Sequence, residues 1–286
     1  DVAGLPSAVG RILEGRVRPN GLRVQRISVP IGVIGMIYES RPNVTTDAAS
    51  VCLKSGNAVI LRGGSESLRT NVVLADALIE AATAEGIPDG AIQIIRTADR
   101  EAVNQLLRLE GEVDVIIPRG GKELIAAVAR ESRIPVIKHY EGICHLYLAE
   151  DAPTEMAVAL SVNSKCQRVE VCNALETLLL DSASVERLLG PLSETFAAEG
   201  VELRGCPIVR QLMPDLPVAT EEDWVTEYLA PVLSVRVVDG LDAAVTHINT
   251  YGSGHTDGIV TRRMDLAEAF VIGVDSASVL VNASTR

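Results

Sequence analysis

The stretch Val29-Pro30-Ile31-Gly32-Val33-Ile34-Gly35-Met36-Ile37-Tyr38 decides the fold of this chain, because it is the longest apolar run in the sequence. Its ten residues are too few to cross a bilayer. Aliphatic runs of this length are typical of a strand that is buried on both faces of a parallel sheet. Residues 46–55 then have a helical pattern that ends at Gly56. A buried strand followed by a helix indicates the start of a βαβ unit.

Strand-like and helix-like segments alternate along most of the remaining chain, and short turns with glycine join them. The further predicted strands are residues 58–61, 91–95, 113–117, 144–148, 178–180, 232–238, 258–261 and 278–281. The further predicted helices are residues 68–85, 100–109, 122–132, 154–165, 241–249 and 266–272. This order predicts an α/β protein of two doubly wound, mostly parallel domains, residues 1–142 and 143–286.

Composition and charge narrow the class of protein. Apolar residues make up 47% of the chain and aromatic residues 3%, so we expect aliphatic cores. A formal net charge of −12 disfavours a nucleic-acid partner. The five cysteines are an odd, scattered set without a CxxC pair, which indicates a reducing compartment and no metal site. Since there is no membrane-length run and no signal-peptide pattern, we expect a soluble, cytoplasmic protein without a membrane partner.

Two loops with paired glycines follow predicted strands of the first domain. They are Arg62-Gly63-Gly64-Ser65 and Arg119-Gly120-Gly121-Lys122. Ligands of such sheets bind beyond the carboxyl ends of the strands, and paired glycines let the backbone approach a phosphate. The loops therefore predict a dinucleotide site, although tight strand–helix turns favour the same residues. The GxGxxG pattern is absent, so an ordinary Rossmann dehydrogenase is not indicated.

Cys172 lies in a segment that favours a reactive thiol. Lys165 and Arg168 precede it, and the polar Asn173 follows it at once. A nearby positive charge favours the thiolate, which is the nucleophilic form of cysteine. The alternative is that Cys172 is a small buried apolar side chain, as many intracellular cysteines are.

Longer motifs resemble the aldehyde dehydrogenase superfamily, and the similarity runs along nearly the whole chain. The motifs are residues 29–43, residues 53–64, Gln167-Arg168, Val171-Cys172-Asn173-Ala174, residues 252–257 and Val281-Asn282-Ala283-Ser284-Thr285-Arg286. They resemble most closely a branch that reduces an acyl phosphate. The resemblance implies NADPH-dependent reduction of L-glutamyl 5-phosphate to L-glutamate 5-semialdehyde and phosphate through a Cys172 thioester, the second step of proline biosynthesis. It also implies further residues before Asp1 and after Arg286.

The resemblance assigns roles to single residues. Cys172 matches the nucleophile, and Asn43 matches the side chain that stabilises the oxyanion, although asparagine is also a favoured helix cap. Glu227 matches the glutamate that holds the nicotinamide ribose. Arg62 matches a cation near the adenosine ribose, which agrees with NADP. Substrate anions and polar groups would be bound by candidates among Arg41, Lys165, Arg168, Asn173, His255, Asn282 and Arg286.

The chain departs from the family where a proline and a small residue usually precede the Val-Cys pair. It has Val169-Glu170 there, and an inward-facing carboxylate would disfavour the thiolate. Residues 21–28 alternate apolar and charged side chains, and the resemblance implies a strand used for subunit pairing in a homodimer. The alternative is an edge strand protected by Arg23 and Arg26.

Two other functions compete with the acyl-phosphate reductase. One is a hydrolytic aldehyde dehydrogenase for another small aldehyde, which needs a water-activating base. Glu141 falls near the expected position of that base, and we predict that the reductase does not need it. The other is an inactive core that folds and binds a nucleotide.

Overall fold

The computed structural model describes residues 2–39, 41–138 and 141–286. The chain divides into two compact units, Asp1–Tyr140 and Glu141–Arg286, and the division falls two residues before the predicted one. Ser40, which belongs to the 29–43 motif, lies outside the described residues. None of the helices within the described ranges has the length and apolar character needed to cross a membrane.

The first unit contains a parallel sheet and a separate hairpin. Its strands are β1 (Ile12–Val17), β2 (Arg23–Ile27), β3 (Val33–Tyr38), β4 (Ala58–Arg62), β5 (Ile92–Ile94) and β6 (Val115–Arg119). Its α-helices are α1 (Asn43–Lys54), α2 (Leu68–Ala84), α3 (Arg100–Leu106) and α4 (Lys122–Glu131). The sheet has the order β5-β4-β3-β6, and all its pairs are parallel.

The central strand β3 is shorter than the apolar run that predicted it. Gly32 has a φ of 128°, a conformation that side chains rarely adopt, and an added Cβ there would overlap the Asp114 carboxylate. That carboxylate instead accepts a hydrogen bond from the backbone N–H of Val33 at 2.7 Å. The turn at Gly32 therefore fixes where the strand begins.

Side chains of the first sheet alternate between two cores, as a doubly wound domain requires. Ile34 and Tyr38 pack with residues of α1 and α2. Ile37, on the opposite face of the same strand, packs with residues of α3 and α4. The strand period of two thus places helices on both faces of the sheet.

The hairpin formed by β1 and β2 lies apart from this sheet. Its strands pair antiparallel, and all their residues are exposed. The exposed side chains include apolar Ile12, Leu13 and Val17. The predicted pairing segment 21–28 therefore forms the second strand of a hairpin with uncovered apolar side chains.

The second unit is built on a larger parallel sheet. Its strands are β7 (Cys144–Leu148), β8 (Leu175–Asp181), β9 (Glu202–Gly205), β10 (Val232–Val238), β11 (Thr256–Val260) and β12 (Ser278–Val281). Its α-helices are α5 (Thr154–Cys166), α6 (Val185–Ala198), α7 (Pro207–Leu212), α8 (Gly240–Tyr251) and α9 (Met264–Gly273). The strand order is β12-β11-β7-β8-β10-β9, again with parallel pairs.

Two cores flank this second sheet as well. Leu146 of β7 and Leu178 of β8 pack with residues of α5, α6 and α7. Tyr147 and Leu179, their neighbours along the strands, pack with residues of α8 and α9. The predicted class of two doubly wound, mostly parallel α/β domains is confirmed.

Candidate active site

Cys172 lies in a short segment that we call the nucleophile loop, residues 167–174, between α5 and β8. The backbone N–H of Ala174 donates to the carbonyl of Val171 at 2.9 Å, so Cys172 occupies a tight turn. The residue is half-buried, and Glu170 of the same loop is exposed. The unusual carboxylate before the nucleophile therefore faces solvent.

The loop lies at the amino edge of the second sheet, because it directly precedes β8. The segments before β7, β10 and β11 end at the same edge, since these strands are parallel to β8. Parallel sheets usually bind ligands at the opposite, carboxyl edge. The rule that predicted the cofactor loops in the first domain therefore does not locate the nucleophile in the second.

Gly142 packs directly against the backbone of Cys172. An added Cβ at Gly142 would overlap the carbonyl oxygen and the Cα atom of Cys172. The same carbonyl oxygen accepts a hydrogen bond from the Sγ of Cys144 at 3.3 Å. Only a glycine permits this approach of two backbone segments.

Glu227 and the 252–255 turn are tied to the same segment. The Glu227 carboxylate accepts a hydrogen bond from the N–H of Gly142 at 2.9 Å. The hydroxyl of Ser253 accepts one from the N–H of Ile143, also at 2.9 Å. His255 follows in this turn, and its Nδ1 lies 2.7 Å from the Thr256 hydroxyl. The structure thus brings Cys172, Glu227 and the turn that carries His255 around Gly142 and Ile143.

Arg286 reaches both ends of the nucleophile loop. Its guanidinium donates to the side-chain oxygen of Asn173 and, at 3.1 Å, to that of Gln167. The preceding residue is anchored, because the N–H of Thr285 donates to the Ser164 hydroxyl at 3.1 Å. Two predicted substrate residues, Asn173 and Arg286, therefore lie together beside Cys172. Arg168 is exposed on the same loop and forms no ion pair with any described residue.

The placement of Lys165 and Asn282 does not fit direct contact with a substrate. The Lys165 ammonium is fully buried and pairs with Glu176 at 2.6 Å. The Asn282 amide accepts a hydrogen bond from the N–H of Thr261 at 3.0 Å and donates to its carbonyl at 2.8 Å. Asn282 itself has a φ of 51°, so this residue closes a turn. Both side chains are occupied by structural contacts.

The charges of Lys165 and Glu176 are perturbed by their burial. Burial raises the pKa of the Glu176 carboxyl, and the adjacent ammonium opposes that shift. Burial likewise lowers the pKa of Lys165, and the adjacent carboxylate opposes it. Each group therefore depends on the other to remain charged.

The two glycine loops of the first unit lie at one edge of its sheet. Arg62 ends β4 and Arg119 ends β6, and both strands are neighbours of β3. Gly63 and Gly64 are buried, whereas Ser65 is exposed. An added Cβ at Gly63 would overlap the buried side chain of Asn71, so internal packing already requires this glycine.

Arg62 has a cationic neighbour that the sequence did not indicate. Its guanidinium donates to the carbonyl of Ala98 at 3.2 Å, and its Nε is buried without a partner among the described residues. Burial, and then the nearby charge of Arg100, lower the pKa of Arg62. The Glu66 carboxylate opposes this shift, so the guanidinium at the end of β4 has one cationic and one anionic neighbour.

Glu39 occupies the second glycine loop. Its carboxylate accepts a hydrogen bond from the N–H of Gly121 at 2.8 Å, and an added Cβ at Gly120 would overlap it. This amide begins α4, where an anion is favoured. The anion that contacts this glycine loop is thus a carboxylate of the chain itself, from the residue that follows β3.

Asn43 is the first residue of α1, and Pro42 holds the cap position. Its side chain donates to the carboxylate of Asp47 at 3.0 Å, so it does not cap the helix. Arg41, Asn43 and Arg119 line one cavity of about 610 Å³ in the first unit. The role of Asn43 at an oxyanion stays a prediction.

The sequence and the fold match one family of enzymes. The model of the aldehyde dehydrogenase family matches residues 7–202. A gamma-glutamyl phosphate reductase of Caldanaerobacter subterraneus subsp. tengcongensis is 52% identical over 286 residues, which are 100% of this chain and 69% of that protein.

Two solved structures show the same fold. The crystal structure of a gamma-glutamyl phosphate reductase from Thermotoga maritima is 42% identical with a TM-score of 0.93, over 100% of this chain and 69% of that one. The structure of the glyceraldehyde-3-phosphate dehydrogenase GapN from Methanocaldococcus jannaschii, complexed with NADP, has a TM-score of 0.66 at 15% identity, over 90% of this chain and 65% of that one. The resemblance predicted from the motifs is confirmed, and the chain belongs to the aldehyde dehydrogenase family, in the branch of the gamma-glutamyl phosphate reductases.

Proposed function

We propose that this chain reduces L-glutamyl 5-phosphate to L-glutamate 5-semialdehyde and phosphate with NADPH, as the second step of proline biosynthesis. The observation that carries the proposal is the nucleophile loop, in which a half-buried thiol lies beside the Arg286 and Asn173 side chains. The 52% identity to a gamma-glutamyl phosphate reductase over the whole chain supports the same substrate.

A cysteine divides the reduction into two easier steps. The thiolate of Cys172 attacks the carbonyl carbon of the acyl phosphate, the C–O bond to phosphate breaks, and a thioester forms. Bound NADPH supplies the hydride that reduces this thioester. The thiohemiacetal then loses the thiolate, which releases the semialdehyde and restores Cys172.

Both steps place negative charge on the former carbonyl oxygen. Fixed donors at such an oxygen lower the barrier by about 3 to 4 kcal/mol each. We propose the backbone N–H of Cys172 and the side chain of Asn43 as these donors. The resemblance supports Asn43, and the tight turn at residues 171–174 supports the Cys172 amide.

The substrate carries a phosphate and an α-carboxylate, so it needs cationic partners. We propose Arg286 and Arg168 as these partners, and their position at the nucleophile loop supports this. Glu227 is proposed to bind the ribose of the nicotinamide nucleotide, and its position across Gly142 from Cys172 supports this. Arg41 and His255 remain candidates for the distal carboxylate.

NADPH is proposed over NADH because of Arg62, which the resemblance matches to a cation near the adenosine ribose. The 2′-phosphate is the group that distinguishes the two cofactors, and the buried Nε of Arg62, which has no partner among the described residues, supports a role in binding this dianion. Arg62→Ser is expected to raise the KM for NADPH about tenfold and to leave the KM for NADH nearly unchanged, since a charged hydrogen bond contributes about 1.5 kcal/mol or more. An equal rise for both cofactors would count against this role.

The exposed apolar hairpin of β1 and β2 supports a homodimer in which it pairs with a second copy of the chain. A cytoplasmic location stays a prediction from the sequence.

The function is tested by running the reaction backwards. Glutamate semialdehyde and NADP are supplied, and NADPH absorbance is followed with and without inorganic phosphate. We expect phosphate-dependent reduction of NADP that disappears in Cys172→Ser and persists in Glu141→Gln. Turnover without phosphate would instead indicate the hydrolytic aldehyde dehydrogenase, and loss of phosphate-dependent turnover in Glu141→Gln would show that this base is required.

A further inference from the structure

Lys165 and Glu176 form an ion pair at the base of the nucleophile loop. The ammonium and the carboxylate lie 2.6 Å apart, and both side chains are fully buried. Lys165 is close to the end of α5, and Glu176 is close to the start of β8. The pair therefore joins the two elements between which the loop runs, and it closes the loop that carries Cys172.

Stability alone does not account for this pair. Removing two charges from water can cost as much as their attraction returns, and well-packed apolar residues often stabilise a core equally well. The second carboxylate oxygen of Glu176, Oε1, is buried without a hydrogen-bond partner among the described residues. A pair that leaves a buried oxygen unsatisfied is a poor stabilising device.

The pair also faces the segment that carries Glu227. The ammonium of Lys165 lies 5.8 Å from the centre of the Tyr228 ring. The hydroxyl of Tyr228 donates to the carboxylate of Asp223 at 2.6 Å. The guanidinium of Arg204 lies 5.4 Å from the centre of the same ring and pairs with Asp223 at 2.8 Å. The ring that follows Glu227 thus contacts two cations, and its hydroxyl group is anchored by Asp223.

The next residue of this segment has an uncommon backbone conformation. Leu229 has a φ of 50°, in the left-handed region that non-glycine residues adopt only where the surroundings fix them. Its backbone N–H lies near the Glu176 carboxylate without forming a hydrogen bond to it, and it opposes the rise of the pKa of that carboxyl. The ion pair therefore lies beside the 227–229 segment, with Lys165 at the Tyr228 ring and Glu176 near the Leu229 backbone.

We propose that Lys165 and Glu176 are positioning residues that fix the nucleophile loop and the 227–229 segment relative to each other. The two segments meet at Gly142, whose backbone packs on Cys172 and donates to Glu227. A shift of either segment changes the position of the thiol relative to the cofactor carboxylate. The kinetic part of the inference rests on the proposed function, because it concerns the rate of the Cys172 reaction.

The test compares three changes at the pair in the full chain. Lys165→Met removes the cation, Glu176→Gln keeps the shape of the side chain and removes its charge, and Lys165→Met with Glu176→Leu makes the pair apolar. Arg263→Met is the control, because Arg263 pairs with Glu150 and Asp265 at the carboxyl edge of the same sheet. Each protein is measured for kcat and KM, melting temperature, and the rate at which iodoacetamide modifies Cys172, followed by mass spectrometry of its peptide.

If the pair positions the nucleophile loop, the variants should show a specific combination of changes in kcat, KM, alkylation rate and melting temperature. We expect both single changes to lower kcat about 100-fold, the effect of roughly 1 Å of misplacement, while KM for phosphate and for the semialdehyde changes less than about threefold. The alkylation rate of Cys172 should change about fivefold or more, and the variants should rank in the same order by this change as by their loss of kcat. The apolar double change should regain the melting temperature lost in Lys165→Met but not the lost kcat. Arg263→Met should match the parent chain in kcat and in alkylation.

Three results would overturn the proposal. Recovery of kcat together with stability in the apolar double change would make the pair purely structural. A raised KM with unchanged kcat in Lys165→Met would make Lys165 a direct substrate ligand. Equal Cys172 alkylation rates in the parent and in Glu176→Gln would show that the loop does not depend on the pair. This last comparison needs no turnover, so it decides the positioning role even if the proposed function fails, and Glu176→Gln carries the test if Lys165→Met does not fold.

Discussion

At the scale of single residues, burial separates the thiols of this chain. Burial raises the pKa of Cys52 to about 11. It also raises the pKa of Cys144, whose Sγ lies against the backbone of Cys172. These two thiols are protonated at neutral pH and serve as packing groups. Cys172 is half-buried in a loop with cationic side chains, so position rather than residue type distinguishes the nucleophile.

His247 is a buried base in an aromatic cluster. Its ring lies 5.6 Å from the ring of Trp224 and 4.7 Å from that of Tyr251, and Arg236 bonds to its Nδ1 at 3.1 Å. Burial, followed by the charges of His145 and Arg236, lowers the pKa of His247 from 6.5 to about 3. The folded protein therefore keeps this ring neutral where the unfolded chain protonates it.

The sign of the pH effect follows from this shift. The unfolded chain binds the extra proton below pH 6.5, so stability from the neutral ring is present above that pH and is lost as the pH falls toward 3. Between pH 7 and pH 5 the loss is about 2 kcal/mol. Urea unfolding of His247→Phe is expected to show a pH dependence smaller by that amount. Identical pH dependence in the two proteins would mean that the buried ring is not neutral.

Sequence motifs predicted some residues of the site, whereas the role of others depends on neighbours that only the fold supplies. Cys172, Asn173 and Arg286 stood in recognisable motifs, and the structure brings them together. Lys165 was predicted as a substrate ligand because it is a cation near the nucleophile. The sequence could not show that β8 would place the Glu176 carboxylate on it.

Two further side chains were missed for the same reason. Glu39 and Arg100 become neighbours of the glycine loops only through the strand order β5-β4-β3-β6. A local sequence pattern cannot predict contacts that depend on the order of strands in a sheet. Proximity along the chain is therefore a weaker guide to a charged side chain's role than the strand it faces.

At the scale of elements, the turn at Gly142 is the tightest contact of the site. The added methyl group of Gly142→Ala would overlap Cys172 backbone atoms, which cannot move aside as a flexible side chain can. We expect kcat/KM to fall about 100-fold, because a shift of about 1 Å at the nucleophile has that effect. The measurement is phosphate-dependent oxidation of the semialdehyde.

Gly190 supplies the matched control for this substitution. It lies within α6, and an added Cβ there meets nothing within 4 Å. Gly190→Ala should keep full activity and gain up to about 1 kcal/mol of stability from helix propensity. Normal activity in Gly142→Ala would show that the segment before β7 can yield without moving Cys172.

The hairpin of β1 and β2 makes a second prediction at this scale. Val17 is 68% exposed in the hairpin, and Val73 is 67% exposed on α2, so the two are matched in exposure. Val17→Lys places a charge where we propose that a second chain pairs, and it should shift the protein from dimer to monomer in light scattering. Val73→Lys should leave the dimer intact. A dimer that persists in Val17→Lys would place the subunit contact elsewhere.

Periodicity predicted the elements that have one clear pattern and missed those with polar or helix-breaking residues. The sequence predicted that β8 begins at residue 178, but it begins at Leu175. The prediction missed the first three residues because Glu176 and Thr177 are polar, although both are buried. The helix α6 was not predicted, since its Gly190-Pro191 pair is typical of a loop. Packing of Leu188 and Leu192 into the core of the second sheet outweighs that local preference.

At the scale of the whole molecule, each of the two units has its own sheet with a core on either face. The alternation of strands and helices predicted this organisation, because each βαβ unit must cover its sheet with its own helices. The chain divides before Glu141, ahead of the fully buried strand β7, and the sequence placed the division after residue 142. Which edge of each sheet carries the site could not be predicted from the alternation.

This organisation predicts that residues 141–286 fold on their own. Helices α5, α6 and α7 cover one face of the second sheet, α8 and α9 cover the other, and both core clusters consist of residues of the second unit. A domain of about 150 residues buries roughly 70% of the surface of its unfolded chain, which is enough for a stable fold. We therefore expect cooperative urea unfolding and a helical circular dichroism spectrum from this fragment.

The same fragment separates the thiol from the cofactor loops. Gly142 and Cys144 contact the backbone of Cys172, Arg286 contacts its neighbour Asn173, and all of these residues lie within residues 141–286. Iodoacetamide should therefore modify Cys172 in the fragment within about threefold of its rate in the whole chain. The fragment should not oxidise the semialdehyde, because Arg62 and the glycine loops are absent. An unfolded fragment, or a Cys172 that reacts like a free thiol in an unfolded peptide, would mean that the first unit is needed to build the nucleophile loop.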